Sequence, residues 1–291
     1  MRCVIALLMS ALITPAWAVT PQEAWKAAIA DQNNTYAHKP HAMLKIQDAV
    51  YLGEGESAVL TGREGVPESW RWGHGTGGIL AVSIRSGKLV VLYHAKAVDA
   101  AMVTKAIAID RDVDVAGQPT QVRAGVNGWR LFVYNQKALA AKTFTGVSYY
   151  PYDPALRVTA HFTPDAKLPP RVFRTSRGTD KQFFHAGDAR FTLEGKMVRL
   201  PFYADSNNAK TITVMSGFFT DGLTGKGAYG AGRYIDVVDF GKFPPATVTI
   251  DFNQAYNPNC ARSPHFTCPY AMDALPLDVR AGERDPHGAR H

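Results

Sequence analysis

"ARFTLEGKMVRLPFYA", residues 189–204, decides the fold class. Apolar Phe191 and Leu193, then Val198, Leu200 and Phe202, alternate with Arg190, Thr192 and Arg199. A period of two is that of a strand with one face on a core. Glu194-Gly195 falls at the centre, where a two-residue bend turns one strand back on the other. The stretch reads as an antiparallel hairpin.

The pattern recurs outward in both directions. Ala58-Val59-Leu60, Gly78 to Ile84, Leu89 to Tyr93, Trp129 to Tyr134, Arg157 to Phe162, Ile212 to Phe219, Tyr234 to Val238 and Val248 to Phe252 read as strands. Arg85-Ser86-Gly87-Lys88 reads as a second hairpin turn. AKAVDAAMVTKAIAI, residues 95–109, fits a helix or a strand equally. After Pro21, QEAWKAAIADQ spaces Ala24, Trp25, Ala28 and Ile29 as one face of a short helix. From Gly241 the chain turns rich in proline, glycine and asparagine, as ordered loops over a sheet end would be. The expected fold is α+β and β-rich, a mostly antiparallel sandwich or distorted barrel with a short N-terminal helix and a long ordered C-terminal loop region.

At the N-terminus, MRCVIALLMSALITPAWA joins Arg2, an apolar run and the ending Ala16-Trp17-Ala18, which reads as a signal peptide over residues 1–18. The run is shorter than the about 20 residues of a membrane span, and Cys3 leaves with it. Residues 19–284 then read as a single β-rich domain, 285–291 as a flexible tail, and ERDPHGARH as fraying. The expected location is periplasmic or secreted, with no membrane span after cleavage. The net charge of +7 is scattered without a basic run, which argues against nucleic acid.

Several motifs fail on context. Gly73-His74-Gly75-Thr76-Gly77-Gly78 and Gly225-Lys226-Gly227-Ala228-Tyr229-Gly230 match the dinucleotide spacing, yet strand-like residues follow each where a helix N-terminus is needed. They read as turns. His74, His94 and His161 read as hydrogen-bonded structural histidines, having no second ligand at a short fixed spacing. GxSxG, HExxH and EF-hand patterns are missing, so no reaction is named by motif.

"YNPNCARSPHFTCPY", residues 256–270, holds Cys260 and Cys268. In an exported chain the pair reads most simply as a disulfide. The alternatives are metal ligation by Cys260, His265 and Cys268, and a thiolate nucleophile with His265 or Arg262 beside it.

Three stretches, FFTDGLTGKGAYGAGRYIDV, VTIDFNQAYNPNCARSPHFTCPY and LPLDVRAGE, closely resemble the Domain of Unknown Function 1684 family of bacterial and archaeal proteins. Upstream, GWRLFVYN and TGVSYYPYDPALRVTAHF look like the middle of the same family, so the resemblance spans most of the mature chain. It implies no particular reaction or cofactor, but it marks a place. The family elements fall on Asp221, Tyr229 and Arg233, and on Asp251, Phe252, Asn253, Ala255, Tyr256, Asn257, Pro258, Cys260 and Cys268. Gln254, Asn259 and Ala228 depart from it.

Asp221, Tyr229, Arg233, Asp251, Asn253, Tyr256 and Asn257 are thus the candidate ligand-binding residues. Arg233 and Lys226 would hold a small polar or anionic ligand; equally, the polar residues would satisfy one another within the loop. Two further readings stand beside binding: a hydrolase using Asp251 or Cys260 with His265, and a structural or envelope-interaction protein.

Overall fold

The computed structural model describes residues 19–287. The expected signal segment, with Cys3, lies outside the described residues. The fold is β-rich and mostly antiparallel, as its alternation predicts, with a short parallel pairing of Met215–Thr220 and Asp273–Ala274. Strands Ile46–Leu52, Val126–Asn135, Val113–Arg123 and Ile107–Asp110 form a four-stranded sheet in that order. A five-stranded sheet runs Val66–Gly73, Ser57–Arg63, Leu80–Arg85, Lys88–Tyr93, Lys96–Val98. Leu52, Val113, Val115, Leu131 and Val133 of the first meet Leu60, Leu80, Val82, Ile84 and Val91 of the second in one buried core.

The second half builds an eight-stranded sheet. Its main path is Arg233–Val237, Met215–Thr220, Lys196–Ala204, Asp180–Leu193, Arg157–Pro164, Thr247–Asp251. Its core gathers Phe162, Phe191, Leu200, Phe202, Met215, Phe219, Ile235, Ile250 and Phe252. The quoted hairpin sits at its middle, with Leu193 opposite Lys196. Glu194 and Gly195 both take positive φ, 47° and 74°, the backbone of a two-residue turn matched to strand twist. Ser86-Gly87 turns the other expected hairpin the same way, at 50° and 72°. In Asp180–Leu193 the register slips between His185 and Gly187, where a side chain on Gly187 would lie 2.7 Å from the Phe162 ring.

Residues 95–109 resolve the ambiguity by dividing. Lys96–Val98 is a strand, Ala101–Lys105 a helical turn, and Ile107–Asp110 a strand. The N-terminal helix Pro21–Asn33 carries a Thr20–Glu23 capping box and has no buried residue.

Beyond Phe252 regular structure is sparse, yet the chain is packed. Leu275, Leu277, Val279, Ala281 and Glu283 are all buried, every second residue turned inward. This corrects the reading of ERDPHGARH as frayed from its first residue, because Glu283 is 0 % exposed and Asp285 N–H donates to the Gly227 carbonyl at 3.1 Å. Tyr36, Met43, Phe132, Tyr134, Phe266 and Cys268 form an apolar cluster where the two halves meet.

Candidate functional site

The glycine-rich segment presents Asp221 and Arg233 to the returning C-terminal chain. Arg233 Nη2 lies 2.6 Å from Asp221 Oδ2, with the side chains 1 % and 0 % exposed. The same nitrogen donates to the Val279 carbonyl at 2.9 Å, and Nη1 donates to that of Ala281. Asp221 also accepts from Val279 N–H at 2.8 Å and from Leu223 N–H at 3.2 Å. Phe219 lies 5.2 Å beneath the guanidinium. Arg233 therefore clamps residues 279–281 to the sheet edge, and its charge is committed to that clamp. Lys226, its expected companion as an anion holder, is exposed.

Asp251 and Asn253 are likewise engaged. Asp251 Oδ1 accepts from Asn253 N–H at 3.1 Å and from its Nδ2 at 2.8 Å, while Oδ2 lies 3.7 Å from Arg157 Nε. Asn253 exchanges two hydrogen bonds with the backbone of Asp153, at 2.9 and 2.8 Å. Its carbonyl accepts from Trp25 Nε1 at 2.8 Å, docking the N-terminal helix. Tyr256 pairs through its backbone with Tyr234, and its hydroxyl donates to Asp236 at 2.8 Å.

A residue that site reasoning passed over organises the rest. Glu283 accepts from Arg262 Nη1 at 2.9 Å, Asn257 N–H at 3.1 Å and Gln32 Nε2 at 2.8 Å. Tyr149 donates to Gln32 Oε1, and Gln32 Nε2 also reaches the Tyr36 hydroxyl at 2.9 Å. Burial pushes the Glu283 carboxyl above the usual carboxylate range, and Arg262 pulls it partly back. Burial first, then the Glu283 charge, pushes up the Tyr149 and Tyr36 hydroxyls. LPLDVRAGE carried the signal for this residue: its alternation puts Glu283 on the same inward face as Val279 and Ala281.

Gln32 and Tyr149 also line a cavity of about 370 Å³ under the N-terminal helix, with Trp25, Ile29, Gln254 and Tyr256. Asp31 is the charged side chain in that lining. Of the expected site residues, Tyr256 alone borders this cavity. Tyr229 lines a separate cleft of about 330 Å³ with Gly225, Tyr270, Asp285 and His287.

The cysteines correct the leading expectation. Cys260 and Cys268 are free thiols, not a disulfide; Cys260 N–H donates to Cys268 Sγ at 3.3 Å, so the second sulfur serves as a hydrogen-bond acceptor. The metal set of Cys260, His265 and Cys268 does not assemble, because the charged groups around His265 are Asp48, Arg177 and Arg71. Among the described residues no group of three His, Cys, Asp or Glu converges. Asp251, one candidate of the hydrolase pairing, lies beside Arg157 and hydrogen-bonds Asn253. The neighbouring Cys268 thiol holds the Cys260 thiol below its ordinary value, against the opposing effect of burial.

Both glycine motifs are turns. Residues 73–78 connect two strands, and 225–230 lead into strand Arg233–Val237, so neither precedes a helix.

These features define a β-rich protein whose C-terminal loop is held by internal polar clamps beside a small aromatic cavity. Residues 142–284 match the model of the family described as "Protein of unknown function (DUF1684)", which supports assigning the chain to that family. That span takes in the eight-stranded sheet and the C-terminal loop, and leaves the N-terminal strands outside, short of the extent expected from the resemblance. A solution NMR structure of an uncharacterized protein of Haloarcula marismortui is similar, with 29 % identity and a TM-score of 0.42, over 50 % of this chain and 79 % of that one. No curated protein matches the chain. Among the described residues no helix is long and apolar enough to cross a membrane.

Proposed function

We propose that the protein binds a small neutral polar molecule in the cavity under the N-terminal helix. One observation carries the reading: Gln32 and Tyr149 both line that cavity and both reach the buried Glu283 carboxylate, so the polar wall is backed by fixed charge. Trp25 and Ile29, on the same helix face as Gln32, supply the apolar part of its lining. A concave site with apolar walls and a few oriented polar groups is the usual form of a small-molecule site. The lining offers an anion no lysine or arginine, and Arg233 is already committed, so the polar half of the earlier expectation is favoured over the anionic half. Export by residues 1–18 belongs to the same proposal, and N-terminal sequencing of secreted protein tests it, cleavage after Ala18 being expected.

The binding test is ligand-observed NMR against monosaccharides, polyols, neutral amino acids and small carboxylates. Gln254 is exposed, so Gln254→Ala leaves the Glu283 network intact. It weakens binding of the neutral ligand about tenfold, the contribution of one good hydrogen bond. Binding restricted to carboxylates, or unchanged in this variant, refutes the proposal.

A further inference from the structure

The bend RTSRGTD, residues 174–180, joins strand Pro170–Arg174 to strand Asp180–Leu193. Gly178 takes a positive φ of 72°, and its N–H donates to the Thr175 carbonyl at 3.0 Å, so the bend is closed by the residue its backbone requires. It is also pinned from outside. Ser176 N–H donates to the Cys268 carbonyl at 2.9 Å, and the Ser176 hydroxyl donates to the Phe266 carbonyl at 3.1 Å. Arg177 therefore rides on a fixed support. Its Nη1 donates to the Pro264 carbonyl at 3.1 Å, and its guanidinium lies 5.3 Å from the centre of the Tyr51 ring. Tyr51 is held in turn, its hydroxyl donating to the His265 carbonyl at 2.9 Å.

Arg177 and Tyr51 border a cavity of about 560 Å³ where the two halves of the chain meet. Among the described residues no carboxylate comes within ion-pair distance of Arg177, and its Nε and Nη2 donate to no protein acceptor. Those two nitrogens form one edge of the guanidinium, the kind of edge that meets both oxygens of a carboxylate at once. Glu56 is the acid of the lining, and it is already engaged. Its Oε2 accepts from Gly53 N–H at 2.6 Å, and its Oε1 lies 3.7 Å from Arg123 Nη1. His74, Ser57 and Thr267 add polar groups to the same lining.

We infer that this cavity is a second binding site, for a small aliphatic monocarboxylate whose carboxyl group pairs with the free edge of Arg177. It shares no lining residue with the cavity under the N-terminal helix. Three features select this class of ligand. A single unpaired cation matches a single negative charge, and Glu56 beside it disfavours a dianion such as phosphate. Ala49, Val50, Leu52 and Val122 supply apolar lining that an alkyl chain covers and an inorganic anion does not. An arginine already held by an aromatic ring and a carbonyl has little side-chain freedom left to lose on binding.

The test is NMR on the full chain with hexanoate as the probe, and hexanol and inorganic phosphate as contrasts. Hexanoate should bind, and hexanol should bind at least about tenfold more weakly, since it lacks the charge. In the wild type, hexanoate should shift the backbone amide signals of Tyr51, Ser57, Thr179 and Thr267, all in the lining. Arg177→Met should weaken hexanoate binding about ten- to a hundredfold, the contribution of hydrogen bonds to a charged group. Arg177→Lys should not restore it, because an ammonium offers no paired edge. No binding of hexanoate, phosphate bound more tightly than hexanoate, hexanol bound as tightly, or equal affinity in Arg177→Met overturns the inference. So do shifts confined to Trp25, Gln32 and Tyr149, which would place the ligand in the other cavity. The wild-type shifts need no variant, so misfolding of an Arg177 variant leaves the inference decidable.

Discussion

Replacing Arg233 by methionine probes the clamp that holds the C-terminal segment. The substitution keeps an apolar stem but removes the guanidinium that lies over Phe219, so the Asp221 carboxylate, 0 % exposed, is left buried with hydrogen bonds and no countercharge. The Val279 and Ala281 carbonyls lose their donors at the same time. Breaking a buried pair from one side costs about 3–5 kcal/mol. Against a total stability of about 5–15 kcal/mol that is roughly a fifth or more of the whole. At about 2–4 °C per kcal/mol for a chain of this size, the melting temperature should fall by roughly 6–20 °C. Urea unfolding followed by tryptophan fluorescence, with calorimetry alongside, measures both. Removing the orphaned charge as well, in Arg233→Met with Asp221→Asn, should restore part of the loss, because the destabilisation resides in an unpaired ion. A single-variant cost under about 1 kcal/mol, or a double variant equal to the sum of its parts, refutes the argument.

Two other outcomes test the same structure. Glu283 has a folded-state pKa raised by burial, so the wild type gains stability relative to Glu283→Gln as pH falls. That gain is complete below the unfolded value of about 4.3 and lost as pH rises through the folded value; urea midpoints across pH 4 to 7 should show the trend, and a gap that widens toward neutral pH contradicts it. A side chain on Gly128 would collide with the Leu52 carbonyl and lie 3.0 Å from Val122, whereas one on Gly230 meets nothing within 4 Å. Gly128→Ala should therefore cost about 1–3 kcal/mol and Gly230→Ala under about 0.5 kcal/mol, with equal urea midpoints telling against the packing described.

The hairpin at Glu194-Gly195 was legible because Phe191, Leu193, Val198 and Leu200 alternate with polar residues about the bend and its bend residues take positive φ. Strands Ile46–Leu52, Val66–Gly73 and Val113–Arg123 were not. The interior of IQDAVYL is half-buried throughout, without an alternating face, and Pro67 and Pro119 sit inside the other two, where proline argues against a strand. At the site, Asp251, Asn253, Tyr256 and Asn257 were recognisable as polar groups in need of partners, whereas Arg233 read as an anion holder, because its carbonyl acceptors lie 46 and 48 positions along the chain. Local spacing is blind to such pairings. The paired cysteines show the same limit in another form, since spacing admits a bridge equally well as two free thiols, one of them accepting the other residue's backbone N–H.

The arrangement of Arg233 and Glu283 bears on synthesis. Arg233 finds its carbonyl acceptors only in residues 279–281, and Arg262 and Asn257 find theirs in Glu283. During translation the main path of the eight-stranded sheet is present in sequence by Asp251, well before those residues leave the ribosome, and until then its edge carries donors without their acceptors. A nascent chain halted ahead of residue 279 would lack both anchors and remain open to proteolysis, so quality control can tell an aborted product from one in which this late segment has been made.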